Sequence, residues 1–261
     1  VFPLAVEPII KQDGDVKNDC ERNAAMRLLH RLRTSHPNFK IIVVMDALYA
    51  NGPLIKLLKE LDLDFIITAK DLKYMYDHHK YGVQGVHYKR VSNDIEYTYK
   101  FSNDLPLNET HPEIRVNFLE YQEHGKRNNY ANSWISSITI TKEIMHDIVK
   151  GGRARWRIEN ETFNTLKNQG YQFEHNFGHG NKNLSTVFAY LMLVAFFVDQ
   201  LQQLGCKLFT KALARLKSKK NLWERKRSYF FNHFISRLED LWSALAYGHV
   251  GKPLDYIINT S

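Results

Sequence analysis

The stretch from Lys40 to Lys70 constrains this fold more than any other. KIIVVMDALYANG carries a β-branched run, Ile41 to Val44, that stops at Met45-Asp46. An amphipathic pattern over 53–61 predicts a helix, and DFIITAK follows as a second apolar strand. A strand, a helix and a strand in so short a span make a parallel βαβ unit. Both strands are continuously apolar instead of alternating, so the sheet is expected to be covered on both faces. The fold class is therefore α/β.

The flanking segments fill in around that unit. VFPLAVEPII at the start predicts a strand closed by the turn QDGD at 12–15. Asp19 can cap a helix over 20–34, where Ala24, Leu28, Leu29 and Leu32 recur at helical spacing. The texture changes after Asp71. Ile95, Tyr97, Tyr99 and Phe101 alternate with polar residues, and Ser92-Asn93-Asp94 predicts a hairpin turn. With EIRVNFLEY (113–121) and NSWISSITIT (132–141) this makes a β-rich insertion over 72–141. Helices are expected over 142–150, 153–169, 184–204, 207–219 and 228–246. The divisions are 1–71, the first part of the core; 72–141, the insertion; 142–205, the second part; and 206–261, a basic helical C-terminal region. Because the chain opens at Val1 within an expected strand, it reads as a fragment lacking an N-terminal part.

Composition narrows the partners. A formal charge of +8 and a pI of about 9.3 favour a polyanion, either nucleic acid or an anionic membrane surface. Nine Lys or Arg and one acid, Glu224, fall between Lys207 and Arg227, a density that marks a phosphate-contacting surface. Lys217, Lys219, Lys220, Arg225, Lys226 and Arg227 are its candidate contacts. The two cysteines, Cys20 and Cys206, exclude a disulfide scaffold and point to a reducing compartment. The longest apolar run, Val187 to Val198, falls short of the roughly 20 residues that a membrane span needs, so it is expected to be a buried core helix.

Two acids stand out. Asp46 ends a buried parallel strand, where open α/β sheets place ligand sites; locally it also fits an Asx-turn. In RARWRIENETFNTLKNQG (153–170), Trp156, Glu159, Phe163 and Leu166 fall on one side of a helix, which places Glu159 beside an apolar stripe. Glu161 aligns instead with Thr165 and Asn168 as a solvated neighbour. An Arg155–Glu159 ion pair is the structural alternative, and at i,i+4 it contributes only about 0.3–0.5 kcal/mol.

WRIEN followed by FNTLK resembles the glutamate helix of DDE-type insertion-sequence transposases, the group related to the Tn-five transposase. VVMDALYANG resembles the strand carrying that group's second catalytic aspartate, and the β-rich insertion lies between the two, as in the group. The resemblance implies a ribonuclease-H-like core with the insertion between the second and third catalytic acids. It implies three carboxylates holding two Mg²⁺ ions, with Mn²⁺ as the alternative. Asp46 and Glu159 would be catalytic and metal-binding residues, with Arg155 and Lys167 as DNA contacts. The partners implied are transposon-end and target DNA and a second copy of the chain, in the bacterial cytoplasm at the nucleoid. The activity implied is metal-dependent phosphodiester hydrolysis and strand transfer.

The match has departures. The group spaces a tyrosine, two residues, an arginine, three residues, a glutamate, six residues and a lysine. Arg155 and Glu159 fit, whereas Gly152 stands at the tyrosine position. Lys167 follows Glu159 by eight residues instead of seven, which in a uniform α-helix turns it about 80° away. The first aspartate of the group would precede Val1, and Glu7, Asp13 and Asp15 are poor substitutes, so this chain alone is expected to be inactive. A non-catalytic DNA-binding remnant and a ribonuclease-H-like nuclease remain as alternatives. His175 and His179 have metal-like spacing but sit among glycines in a loop. His78-His79 carries no signal, and Trp134 and Trp156 read as core.

Overall fold

The computed structural model describes residues 1–9, 19–70, 77, 86–126, 129–175, 177–178, 183–248 and 255–256. The QDGD turn with Asp13 and Asp15, the His78-His79 pair and His179 lie outside the described residues. The chain packs as two compact units, one of Glu7–Trp156 and one of Val1–Val6 with Arg157–Ser261.

The first unit is built on the expected βαβ triplet. Strand β1 (Ile42–Met45) pairs parallel with β2 (Asp64–Thr68). Between them, α2 (Gly52–Glu60) starts where the Asn51 side chain accepts a hydrogen bond from the Leu54 N–H at 3.1 Å. Helix α1 (Glu21–Ser35) begins without the expected Asp19 cap, because the Asp19 carboxylate turns to Arg27, 2.7 Å away.

Four antiparallel strands extend this sheet. They are β3 (Val86–Ser92), β4 (Ile95–Pro106), β5 (Arg115–His124) and β6 (Asn129–Ser136), in the spatial order β1-β2-β6-β5-β4-β3. Asn93 and Asp94 turn β3 into β4 at φ 53° and 60°, the left-handed pair that matches strand twist in a two-residue hairpin.

Side chains along β2 alternate between two cores. Phe65 and Ile67 join Leu29 of α1 and Leu54, Ile55 and Leu58 of α2 on one face. Ile66 joins Trp134 of β6 on the other, with Ile148 and Val149 of α3 (Met145–Ala154). The sheet is thus covered on both faces, as its continuous apolar strands require. Helix α3 approaches closely through two glycines. A Cβ on Gly152 would lie 2.3 Å from Trp134 Nε1, and one on Gly151 would lie 2.7 Å from Ile66 Cδ1.

One expectation fails at the start of the chain. Residues 1–9 form no strand. Pro3 and Pro8 have no N–H to donate to a ladder, and Leu4 and Ile9 stand exposed.

The second unit holds a π-helical stretch, Ile158–Phe163, followed by α4 (Asn164–Asn168), α5 (Leu184–Gly205), α6 (Lys207–Leu216), α7 (Lys219–Asn232) and α8 (Leu238–Tyr247). A short ladder pairs His233–Phe234 with Asp255–Tyr256. The expected helices over 207–219 and 228–246 are divided differently. Lys217 takes a left-handed φ of 66° and ends α6, and Ser218 then caps α7 by accepting from the Asn221 N–H at 3.1 Å. Phe209, Leu222, Leu241, Trp242 and Leu245 form the core shared by α6, α7 and α8.

Helix α5 is not the buried core helix that its apolar run suggested. Of its 22 residues only Phe196 and Asp199 are buried. Val187, Leu191, Val194, Val198 and Leu201 recur along an exposed face. The run is apolar all round, and the helices of its own unit cover one side of it. By length and composition alone it is long and apolar enough to cross a membrane.

The glycine contact on α3 is testable. An alanine normally stabilises a helix interior by about 1 kcal/mol over glycine. Gly152→Ala is expected instead to lose about 1–3 kcal/mol, because Trp134 is 1% exposed and has no room to yield. The measurement is the urea midpoint, with Gly205→Ala as control, since nothing lies within 4 Å of a Cβ there. Equal midpoints for the two variants would show that α3 does not depend on this contact.

Candidate active site

Asp46 lies one residue beyond β1 and begins a single 3-10 turn, Ala47–Tyr49. Its Oδ1 accepts from the Leu48 N–H at 3.0 Å, so the Asx-turn anticipated from the sequence is present. That bond uses one lone pair of a carboxylate that offers about four. Tyr49 stands beside it. Its hydroxyl pKa is raised, first by burial and then by the charges of Glu21 and Asp46. Strand β1 is the outermost strand of the sheet and pairs only with β2, so among the described residues its other edge carries no strand.

Glu159 belongs to the second unit, near the start of the π-helical stretch, and its carbonyl accepts from the Asn164 N–H five residues on. Such stretches recur at functional sites. Of the expected stripe only Leu166 is buried, together with Thr162, whereas Trp156 is 53% and Phe163 39% exposed. Glu159 is exposed as well, so it does not border an apolar stripe. The widened turn carries one residue more than an α-turn and shifts every later side chain around the axis. Trp156 precedes the widened stretch and is exposed, not core; the Arg155 guanidinium lies 5.5 Å from its ring centroid. Trp134 is buried as expected.

The same widening bears on Lys167. Each π-helical ring takes up an additional residue, so eight residues through this stretch wind about as far as seven do in a uniform α-helix. Lys167 thus returns towards the side of Glu159, and its Nζ meets Glu174 at 2.7 Å. Glu161 is exposed and pairs with Arg157 at 3.8 Å. Glu7, already a poor candidate for a catalytic acid on sequence grounds, is held by Arg27 at 2.7 Å and Arg31 at 3.1 Å.

The basic stretch divides into two groups. Lys217, Lys220, Arg225 and Arg227 are exposed. Lys226 turns inward instead, with its Nζ 4.0 Å from Asp199 and 4.5 Å from the Trp223 ring centroid. Asp199 is buried and accepts from the Tyr171 hydroxyl at 2.6 Å. Burial first, and Asp199 second, push the Tyr171 hydroxyl pKa well above its usual value. Lys219 lies 5.5 Å from the Phe196 ring centroid, and burial lowers its pKa against the opposing pull of Asp199. Sequence reasoning missed this network. Its one signal was an acid, Asp199, closing a long apolar run.

Asp46 and Glu159 offer hard carboxylate oxygens, the donors that Mg²⁺ prefers. Among the described residues no three His, Cys, Asp or Glu side chains converge. Residues 4–197 match the family model for the transposase DDE domain. A search among curated proteins found no match to the chain.

The inward network gives a stability prediction. Asp199→Ala would leave the Lys226 ammonium half-buried without its carboxylate, at an expected cost of about 2–4 kcal/mol. Lys220→Ala, on the exposed group, is expected to stay within about 0.5 kcal/mol of the parent. Chemical denaturation of both variants decides it; equal losses would mean that Asp199 is not what holds Lys226 and Tyr171.

Proposed function

Because the chain belongs to the transposase DDE domain family, we propose that it is the catalytic part of a DNA transposase, carrying out metal-dependent phosphodiester hydrolysis and strand transfer at insertion-sequence ends. The observation that carries the reading is Asp46, held at the carboxyl end of a parallel strand in a sheet covered on both faces. A mixed sheet of this kind fits a ribonuclease-H-like core. Among the described residues no strand pairs with the outer edge of β1, and an acid on any strand added there would stand close to Asp46.

Asp46 and Glu159 are the residues that would hold Mg²⁺ or Mn²⁺. When bound, the ions supply Lewis acidity to in-line displacement at phosphorus. Arg155 and Lys167 are assigned to backbone phosphates. Lys217, Lys220, Arg225 and Arg227 hold the duplex through charge that is indifferent to sequence, which makes binding strongly salt-dependent. Lys219 and Lys226 serve this surface from beneath, by fixing α7 to α5 through Phe196 and Asp199.

Metal binding tests the assignment without requiring turnover. Asp46→Ala and Glu159→Ala are each expected to weaken Mn²⁺ binding, followed by electron paramagnetic resonance, by at least about tenfold. Glu161→Ala should leave it unchanged. Fe²⁺ with peroxide is expected to cut the backbone beside Asp46 and beside Glu159. Loss in the Glu161 variant alone would transfer the role to that residue. Retention in every variant, with salt-sensitive DNA binding intact, would leave a DNA-binding remnant without chemistry.

A further inference from the structure

A cavity of about 520 Å³ opens among α6, α7 and α8, wholly within the second unit. Arg215, Arg225, Ser228, Tyr229 and His233 line it, and no described residue of its wall is acidic. Arg225, Ser228 and Tyr229 stand three and four apart on α7 and so share a face. Ser228 Oγ accepts from Asn232 Nδ2 at 3.4 Å, and the Tyr229 and His233 rings lie 5.1 Å apart.

Arg215 is built into the site. Its Nη1 donates to the Leu245 carbonyl at 3.0 Å, near the end of α8, and a guanidinium has further donors to offer. Gly248, at φ 80°, lies beside it; a Cβ there would come within 3.3 Å of Arg215 Nη2, so the guanidinium would have to give by a few tenths of an ångström. Two planar guanidiniums suit a phosphate, which they can grip through paired hydrogen bonds. The volume is too large for a phosphate alone and falls within the roughly 300–1,000 Å³ of small-molecule sites. The Tyr229 and His233 rings supply a surface on which a base can stack.

We propose that this cavity binds a nucleotide through its phosphomonoester, with Arg215 and Arg225 on the phosphate and the Tyr229–His233 pair beside the base. The nucleotide has two sources, free in solution or at the 5′ end of a DNA strand. The second rests on the DNA-acting role proposed above; the first does not.

Titration calorimetry on the full chain tests it with deoxyadenosine 5′-monophosphate and, separately, deoxyadenosine. The monophosphate is expected to bind at least about tenfold more tightly than the nucleoside. Ser228→Trp fills the cavity without changing charge, and should weaken monophosphate binding at least about tenfold while low-salt binding of duplex DNA persists. Arg225→Gln should also weaken monophosphate binding at least about tenfold, together with some loss of duplex binding because Arg225 belongs to that surface too, and it replaces Ser228→Trp if that variant does not fold. Equal affinity for nucleoside and monophosphate, or undiminished binding in a folded Ser228→Trp, overturns the proposal. Competition separates the sources. Displacement by a 5′-phosphorylated oligonucleotide, but not by its 5′-hydroxyl twin, supports a strand end; displacement by neither supports a free nucleotide. Failure of the parent chain to bind duplex DNA would sink the transposase reading and leave the comparison of monophosphate with nucleoside untouched.

Discussion

Gly152 lies flat against the indole of Trp134, and the approach of α3 to the sheet is set at that contact. Two successive glycines in a helix cost about 1 kcal/mol each relative to alanine. The close approach offsets this by letting Ile148 and Val149 bury against Ile66, Leu119 and Trp134. Polar contacts fix the last turn of α3. Arg153 pairs with Glu123 of β5, and its guanidinium lies 4.4 Å from the Tyr130 ring centroid. The helix is therefore held at a hydrophobic seam and at an edge, and any side chain at position 152 would open the first of these.

What could be read from the sequence was whatever depended on local pattern. The βαβ unit was legible because its strands are apolar throughout, and Asn93-Asp94 because left-handed turns select those residues. The opening segment misled for a reason already present in it, since Pro3 and Pro8 interrupt an apolar run that otherwise resembles a strand. Helix α5 misled because hydrophobicity records that a residue could be buried, not that a neighbour exists to bury it. The π-helical stretch left no trace in the pattern. IENETF is an unremarkable helical sequence, and only the Asn164-to-Glu159 hydrogen bond reveals the widened turn.

Charge was legible in amount but not in direction. Nine basic residues between Lys207 and Arg227 look alike in a string of letters. Helical spacing separates them. Leu222 faces the core of α6–α8, and Lys226, one turn later on the same side of α7, is carried inward with it. An ammonium on that side needs a counter-charge, and Asp199 provides it. A lysine can serve there because its stem buries while its head reaches a partner. The exposed group has the opposite character, with no described acid pairing with Lys217, Lys220, Arg225 or Arg227. Such a surface concentrates positive potential where a phosphate backbone can approach.

The two departures from the family's spaced signature have physical explanations. A tyrosine at position 152 cannot coexist with Trp134 at its present distance, so the substitution to glycine belongs with the indole beneath it. The additional residue between Glu159 and Lys167 would rotate the lysine away in a regular helix. The hydrogen bonding widens within Ile158–Phe163, where one turn takes up an additional residue and so offsets that rotation. The same widening leaves Glu161 paired with Arg157 on the exposed surface, with its charge already answered locally. Glu159, by contrast, lies near the start of the widened stretch with its carbonyl bonded to the Asn164 N–H, a backbone arrangement that does not depend on how Trp156 and Phe163 pack.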